Sequence, residues 1–232
     1  MDAVSREGLG SQIKELIILP IPTTRDGVTV GGTALPLSSI VEDVRLGTAV
    51  TGYGIPEAVA EQIKERGGVS IDCEKSELFL KENARLTAEA ALGIVLSEGG
   101  KAPRDMKIGV VGYGRIGKEL TRLMLFIGAK TVVYTSDGDT LLDLCLAGVE
   151  ARRSEPSANV CDLDLLMNTA PKRIFELPSE GTLPLFDLAS GNFYKDYRGV
   201  RTLPSLPAKC FPESAARVWH KAILAHLGAS KA

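Results

Sequence analysis

Short apolar runs alternate along most of the chain with segments in which apolar residues recur every three or four positions. The runs are strand-sized and lack strict in-and-out alternation, as expected of strands buried on both faces of a parallel sheet; the periodic segments read as amphipathic helices. The alternation predicts an α/β fold. Residues 15–19 form a first strand stopped by Pro20 and Pro22, and residues 48–53 form the next. Pro56 suits the first turn of a helix through Ala58, Val59, Ile63 and Arg66, which Gly67 and Gly68 end before a short strand at 69–72. This small unit closes near residue 80. A long Ala- and Leu-rich helix over 76–98 then bridges to a second α/β unit. There, strands are expected at 106–112, 131–135, 163–168, 183–188 and 200–203, and helices at 116–126, 140–146 and 213–227.

Composition narrows the class. The 232 residues are 44% hydrophobic and 24% charged, ordinary globular usage that leaves room for two modest domains. The division expected is 1–82 for a small α/β domain and 83–232, bridging helix included, for a doubly wound parallel sheet. A formal charge of −2 without a dense basic run argues against nucleic acid as a partner. No apolar stretch approaches the ~20 residues that span a bilayer, so no membrane partner is expected. The first residues lack a basic segment followed by an apolar one, and the expected location is cytoplasmic. Four scattered cysteines without a C-x-x-C pair, and only two histidines, argue against a metal site; the cysteines read as small buried hydrophobes.

The strongest chemical signal is Ile108-Gly-Val-Val-Gly112-Tyr113-Gly114-Arg115-Ile116-Gly117, a G-x-G-x-x-G directly after an apolar strand and before an amphipathic helix. Gly112 permits the tight turn, Gly114 lets the backbone approach a pyrophosphate, and Gly117 lets helix and strand pack closely. The helix start offers N–H groups to the anion, with Arg115 beside it. The next strand ends Tyr134-Thr135-Ser136, where an NAD site carries a carboxylate. Two hydroxyls there favour NADP, with NAD as the alternative because Asp137 follows and no arginine stands beside it in the sequence.

Leu19-Pro20, Asn83-Ala-Arg-Leu-Thr87-Ala88-Glu89, the glycine turn, Gly128-Ala129-Lys130, Asn168-Thr169-Ala170-Pro171, Asp187-Leu-Ala-Ser190, and Leu203-Pro-Ser-Leu-Pro207-Ala-Lys209 followed by Pro212-Glu213-Ser-Ala215 occur in this order. In that series the chain resembles the dipicolinate synthase A-subunit family, related in outline to the D-2-hydroxyacid dehydrogenases, with a shortened N-terminal domain. The resemblance implies a flavodoxin-like N-terminal domain joined by a helix to a Rossmann domain. It implies an oxidoreductase that takes a reduced cyclic dicarboxylate, derived from 4-hydroxytetrahydrodipicolinate, to aromatic dipicolinate with hydride passing to the nicotinamide. It also implies a homo-oligomer, a setting in sporulation, and a second, flavoprotein-like subunit.

Residues just beyond strand ends are the candidates for contact with ligand. The resemblance implies that Asn168, Thr169, Ala170 and Pro171 cover the nicotinamide ribose, and Asp187 ends the next strand. Glu89, Lys209 and Ser190 are the catalytic candidates. Arg198 and Arg201 are further cations for a small dicarboxylate substrate, and Thr23, Thr24, Gly52 and Gly54 a wall from the first unit. The histidines, at 220 and 226 of the last helix, are expected at its surface rather than in acid–base chemistry. Two other readings remain: an NAD(P)-dependent dehydrogenase of another small 2-hydroxy or keto acid, and a non-catalytic, regulatory NAD(P)-binding protein.

Overall fold

The structure, a computed structural model, describes residues 13–98, 100–177, 180–189 and 191–228. In chain order, β1 (Glu15–Ile18), α1 (Leu37–Asp43), β2 (Thr48–Gly52), α2 (Glu57–Glu65) and β3 (Val69–Asp72) come first. The long α3 (Glu77–Glu98) leads to β4 (Lys107–Val111), α4 (Arg115–Phe126), β5 (Lys130–Thr135), α5 (Gly138–Leu146) and β6 (Glu150–Arg153). Then follow β7 (Leu165–Asn168), β8 (Leu185–Asp187), β9 (Val200–Thr202), α6 (Leu206–Cys210) and α7 (Pro212–His226).

Packing divides the chain after Glu82: the described residues up to that point group with those from Ala216 onward, and Asn83–Ala215 form the second unit. The sequence pattern alone assigns the last helix to the second unit. Its apolar face explains the difference, since Trp219, Ile223 and Leu227 pack with Ala49 and Ile71 of the first. The Trp219 indole N–H also donates to the Thr51 hydroxyl at 3.1 Å, which satisfies the polar edge of a half-buried ring.

The first unit is a three-stranded parallel sheet in the order β1-β2-β3. All five residues of β2 are buried, as a central strand requires. Leu19, Val41, Val44, Val50 and Ile63 form a core. β1 is an edge strand that leaves Ile18 61% exposed, so its apolar run has one uncovered face.

The second unit is a six-stranded parallel sheet in the order β6-β5-β4-β7-β8-β9. Counted from β4 this is the order 3-2-1-4-5-6, and it reverses between β4 and β7. Ile108 and Val110 of β4, with Leu165 and Met167 of β7, meet Ala88, Ala91 and Val95 of α3 and Leu120 and Met124 of α4. Each of the larger side chains contributes roughly 1.5–3 kcal/mol by leaving water. The alternate residues Val111, Val132, Tyr134 and Leu166 face the other way, where Phe175, Leu177, Tyr194 and Tyr197 close the sheet. Those four come from non-helical segments, so turns rather than helices cover this face. Tyr134 meets Phe175 edge-on at 5.1 Å, and its hydroxyl donates to the Asn159 carbonyl at 2.6 Å.

Three elements have little hydrophobic signal in the sequence. α1 buries only Leu37 and Val41, α6 has five residues, and β6 reads Glu-Ala-Arg-Arg. Among the described residues no helix is long and apolar enough to cross a membrane. Of the cysteines only Cys73 is buried; Cys145, Cys161 and Cys210 are exposed, against the expectation of buried hydrophobes. Burial pushes the Cys73 thiol pKa up.

Candidate functional site

The glycine turn joins β4 to α4 at the point where the strand order reverses. Gly112 has φ +88°, a conformation that favours glycine, and its N–H donates to the Tyr134 carbonyl at 2.8 Å. A Cβ on Gly117 would overlap the Gly112 carbonyl oxygen, so this position sets how closely helix and strand approach. Gly114 differs from both. Its backbone is extended, with φ −78° and ψ −161°, and a Cβ there would meet nothing within 4 Å. The chain itself does not need a glycine at 114; the space in front of it is open. α4 starts immediately behind, with no side-chain cap, and its first-turn N–H groups have no acceptor within the helix. Arg115 is exposed, Tyr113 and Ile116 are half-buried, and the Lys118 ammonium lies 5.6 Å from the centre of the Tyr113 ring.

A hydrogen-bonded system at the ends of β7 and β8 holds the neighbouring loops. The Thr169 hydroxyl donates to the Val111 carbonyl at 2.8 Å, tying the β7 loop to the glycine turn. The fully buried Asn168 amide donates to the Ala170 carbonyl at 3.1 Å and to Asp187 Oδ1 at 2.9 Å, while its Oδ1 accepts from the Ala170 N–H. Asp187, also fully buried, accepts in addition from the N–H groups of Ala189 and Phe193. Its carboxyl group thus meets three donors within the protein. These two side chains shape the loops over the strand ends; Thr169 is half-buried, Ala170 buried and Pro171 exposed.

At the end of β5, Thr135 is buried and its hydroxyl accepts the Asp137 N–H at 3.2 Å, while Ser136 is exposed. Asp137 caps α5 by accepting the Thr140 N–H at 2.8 Å, and the Thr140 hydroxyl together with that N–H lowers its pKa. No arginine adjoins this strand end in the sequence, but the sheet supplies one: β6 pairs with β5 so that Arg153 lies opposite Thr135. β6 carries no hydrophobic run, and its position beside β5 is a property of the sheet alone.

The catalytic candidates sit on separate elements. Glu89 is half-buried on α3 and ion-paired with Arg85 one turn away at 3.0 Å. Lys209 is exposed on α6 and makes no ion pair among the described residues. Ser190 lies outside the described residues. Of the further cations, Arg201 pairs with Glu98, and Arg198 stands 3.6 Å from Glu180. In the first unit Thr23 is buried and accepts the Tyr53 N–H at 2.8 Å, and the Thr24 hydroxyl donates to Asp26, so both serve the local turns. The Asp26 carboxyl is held far below the usual range by N–H and hydroxyl donors from Thr29, Val28 and Thr24. Gly52 ends β2, and a side chain there would overlap the Thr23 hydroxyl; Gly54 has φ +70°. His220 and His226 are both exposed. A cavity of about 430 Å³ in this unit is lined by Asp72, Cys73, Lys75, Ser76 and His226 among others, but Asp72 is engaged by the N–H groups of Gly54, Ile55 and Glu74.

A parallel sheet in the order 3-2-1-4-5-6 with a glycine turn at its switch point is the Rossmann-type dinucleotide-binding fold. Solved structures of similar fold include the A-subunit of dipicolinate synthase from Bacillus halodurans, with TM-score 0.74 and 22% identity over 94% of this chain and 80% of that one. Its counterpart from Bacillus subtilis gives TM-score 0.69 and 19% identity over 93% of this chain and 79% of that one. A transhydrogenase from Sinorhizobium meliloti gives 0.61 and 16% identity, covering 91% and 73%, and an L-alanine dehydrogenase 0.57 and 16%, covering 83% and 68%. No protein-family model matches the sequence, and no curated protein does.

Proposed function

We propose that the chain is an NADP-linked oxidoreductase of the dipicolinate synthase A type. On this reading it oxidises a dihydrodipicolinate, formed from 4-hydroxytetrahydrodipicolinate by loss of water, to dipicolinate. The observation that carries the reading is the open space in front of Gly114, at the switch point of a sheet with this strand order. A dinucleotide fits the residues present: the pyrophosphate against Gly114 and the first turn of α4 with Arg115, the ribose of the nicotinamide half against the loop at Thr169 and Ala170. When bound there, a nicotinamide would supply the hydride acceptor, and aromatisation of the substrate ring would release one proton with the hydride. The tie from Thr169 to Val111 and the Asn168–Asp187 pair keep the two loops fixed while this happens. Lys209, with no partner among the described residues, is the cation assigned to a substrate carboxylate, and Glu89 or water takes the proton.

The test is cofactor reduction by the purified chain, with NADP⁺ and NAD⁺ in parallel, on the condensation product of pyruvate and aspartate semialdehyde made in situ. The expected result is NADPH formation together with the ultraviolet signature of dipicolinate. Cofactor binding with no turnover, even when a flavoprotein-like subunit is added, would overturn the dipicolinate assignment. Absence of any binding would overturn the oxidoreductase reading as a whole.

A further inference from the structure

Resting on the dinucleotide reading, we infer that Arg153 at the end of β6 is the residue that grips the 2′-phosphate of the cofactor and so sets its choice between NADP and NAD.

Strand register brings this side chain to the cofactor edge. β5 and β6 run parallel with Tyr134 opposite Arg152 and Thr135 opposite Arg153, and the Ser154 N–H extends the ladder by donating to the Thr135 carbonyl at 2.9 Å. Residues opposite one another share a face of the sheet, and successive residues alternate. The first pair shows this directly, since the Arg152 guanidinium lies 5.9 Å from the centre of the Tyr134 ring. The second pair therefore lies on the opposite face, at the carboxyl edge of the sheet, where ligands of this fold bind.

The two adjacent arginines are employed very differently. Arg152 is saturated: it donates to Glu150, to both oxygens of Asp162, to the Asn159 carbonyl and to the Tyr134 hydroxyl. Arg153 is exposed and makes no hydrogen bond or ion pair among the described residues. Its planar set of N–H donors is thus uncommitted, next to the strand end from which the adenosine ribose is read. Ser136, exposed at the same edge, offers a hydroxyl. The carboxylate that would otherwise read a 2′-hydroxyl, Asp137, has its Oδ2 committed to capping α5. A 2′-phosphate meeting an uncommitted guanidinium and a hydroxyl is a better chemical match for this edge than a bare ribose.

The experiment compares two fragments that differ only by the phosphate, adenosine 2′,5′-bisphosphate and 5′-AMP, alongside NADPH and NADH. All are titrated onto the full chain by calorimetry. The wild-type chain is expected to prefer the 2′-phosphorylated member of each pair. Arg153→Ala should weaken the phosphorylated members by about 10- to 100-fold and leave NADH and 5′-AMP within about 3-fold, as loss of a charge-assisted contact predicts. Arg153→Lys should retain part of the preference, because charge remains while the two-pronged geometry is lost. Asp137→Asn should leave NADH binding unchanged. An Arg153→Ala chain that unfolds as wild type and keeps the full preference overturns the inference. So does a wild-type chain that binds NADH as tightly as NADPH, although dinucleotide binding then stands. A wild-type chain that binds no dinucleotide removes the underlying reading and this inference with it.

Discussion

Gly114→Ala separates a glycine kept for a ligand from one kept for the fold. Its backbone, φ −78° and ψ −161°, is open to alanine, and the new methyl group would meet no protein atom within 4 Å. Two small terms bear on stability. Restricting the unfolded chain favours the variant by about 0.4–1 kcal/mol. Alanine is a poorer residue than glycine at the position preceding α4, which costs a similar amount. The net change should stay within about 1 kcal/mol, a shift of roughly 2–4 °C in Tm for a chain of this size. Binding should respond quite differently. The methyl group stands where the pyrophosphate must approach the backbone, and losing one hydrogen bond to a charged group costs about 1.5–3 kcal/mol, or roughly 10- to 150-fold in Kd. Thermal unfolding of the ligand-free chain and an NADPH titration, on the same preparation, measure the two effects. Wild-type affinity in a stable Gly114→Ala chain would refute the cradle; a loss of more than about 2 kcal/mol in the ligand-free chain would show instead that the glycine serves the fold.

Gly117→Ala should behave in the opposite sense, because its Cβ would overlap the Gly112 carbonyl oxygen: overpacking of about 1–3 kcal/mol should lower Tm before any ligand is added. Thermal unfolding without cofactor checks this, and an unchanged Tm would mean that the helix–strand approach is looser than described. Acid sensitivity should come from the charged cluster around β6. Hydrogen bonds from Arg152 and Lys107 hold the Asp162 carboxyl far below its ordinary range, and a hydrogen bond from Lys101 lowers that of Asp164. A carboxyl whose pKa is lowered on folding adds stability above its unfolded value, near pH 4, and loses it as the pH drops toward the folded value. Tm followed from pH 7 to pH 3 should therefore fall below about pH 4, less steeply in Asp162→Asn than in wild type. Parallel curves would show that the pair contributes nothing.

The strands of the second unit are legible in sequence because both faces of a parallel sheet are buried. Ile108 and Val110 go to one core and Val111 to the other, leaving an unbroken apolar run next to the glycine turn. The same physics hides β6, whose Glu150, Arg152 and Arg153 sit on an edge strand and read as a charged loop. The allegiance of α7 is hidden for another reason: Trp219, Ile223 and Leu227 announce an apolar face without saying which sheet it covers. Polar residues at strand ends are the least legible. Asn168 and Asp187 have the composition of ligand-contacting residues, yet their side chains are spent on each other and on the N–H groups of the following loops. Arg153 looks like surface charge, yet the register sets it beside Thr135 with every donor unused among the described residues. The carboxyl edge of a parallel sheet gathers residues from several strands into one neighbourhood, so the chemistry there depends on strand order and register. Those in turn follow from which hydrophobic runs pair, and they decide which of two adjacent arginines stiffens the sheet and which stands exposed at its carboxyl edge.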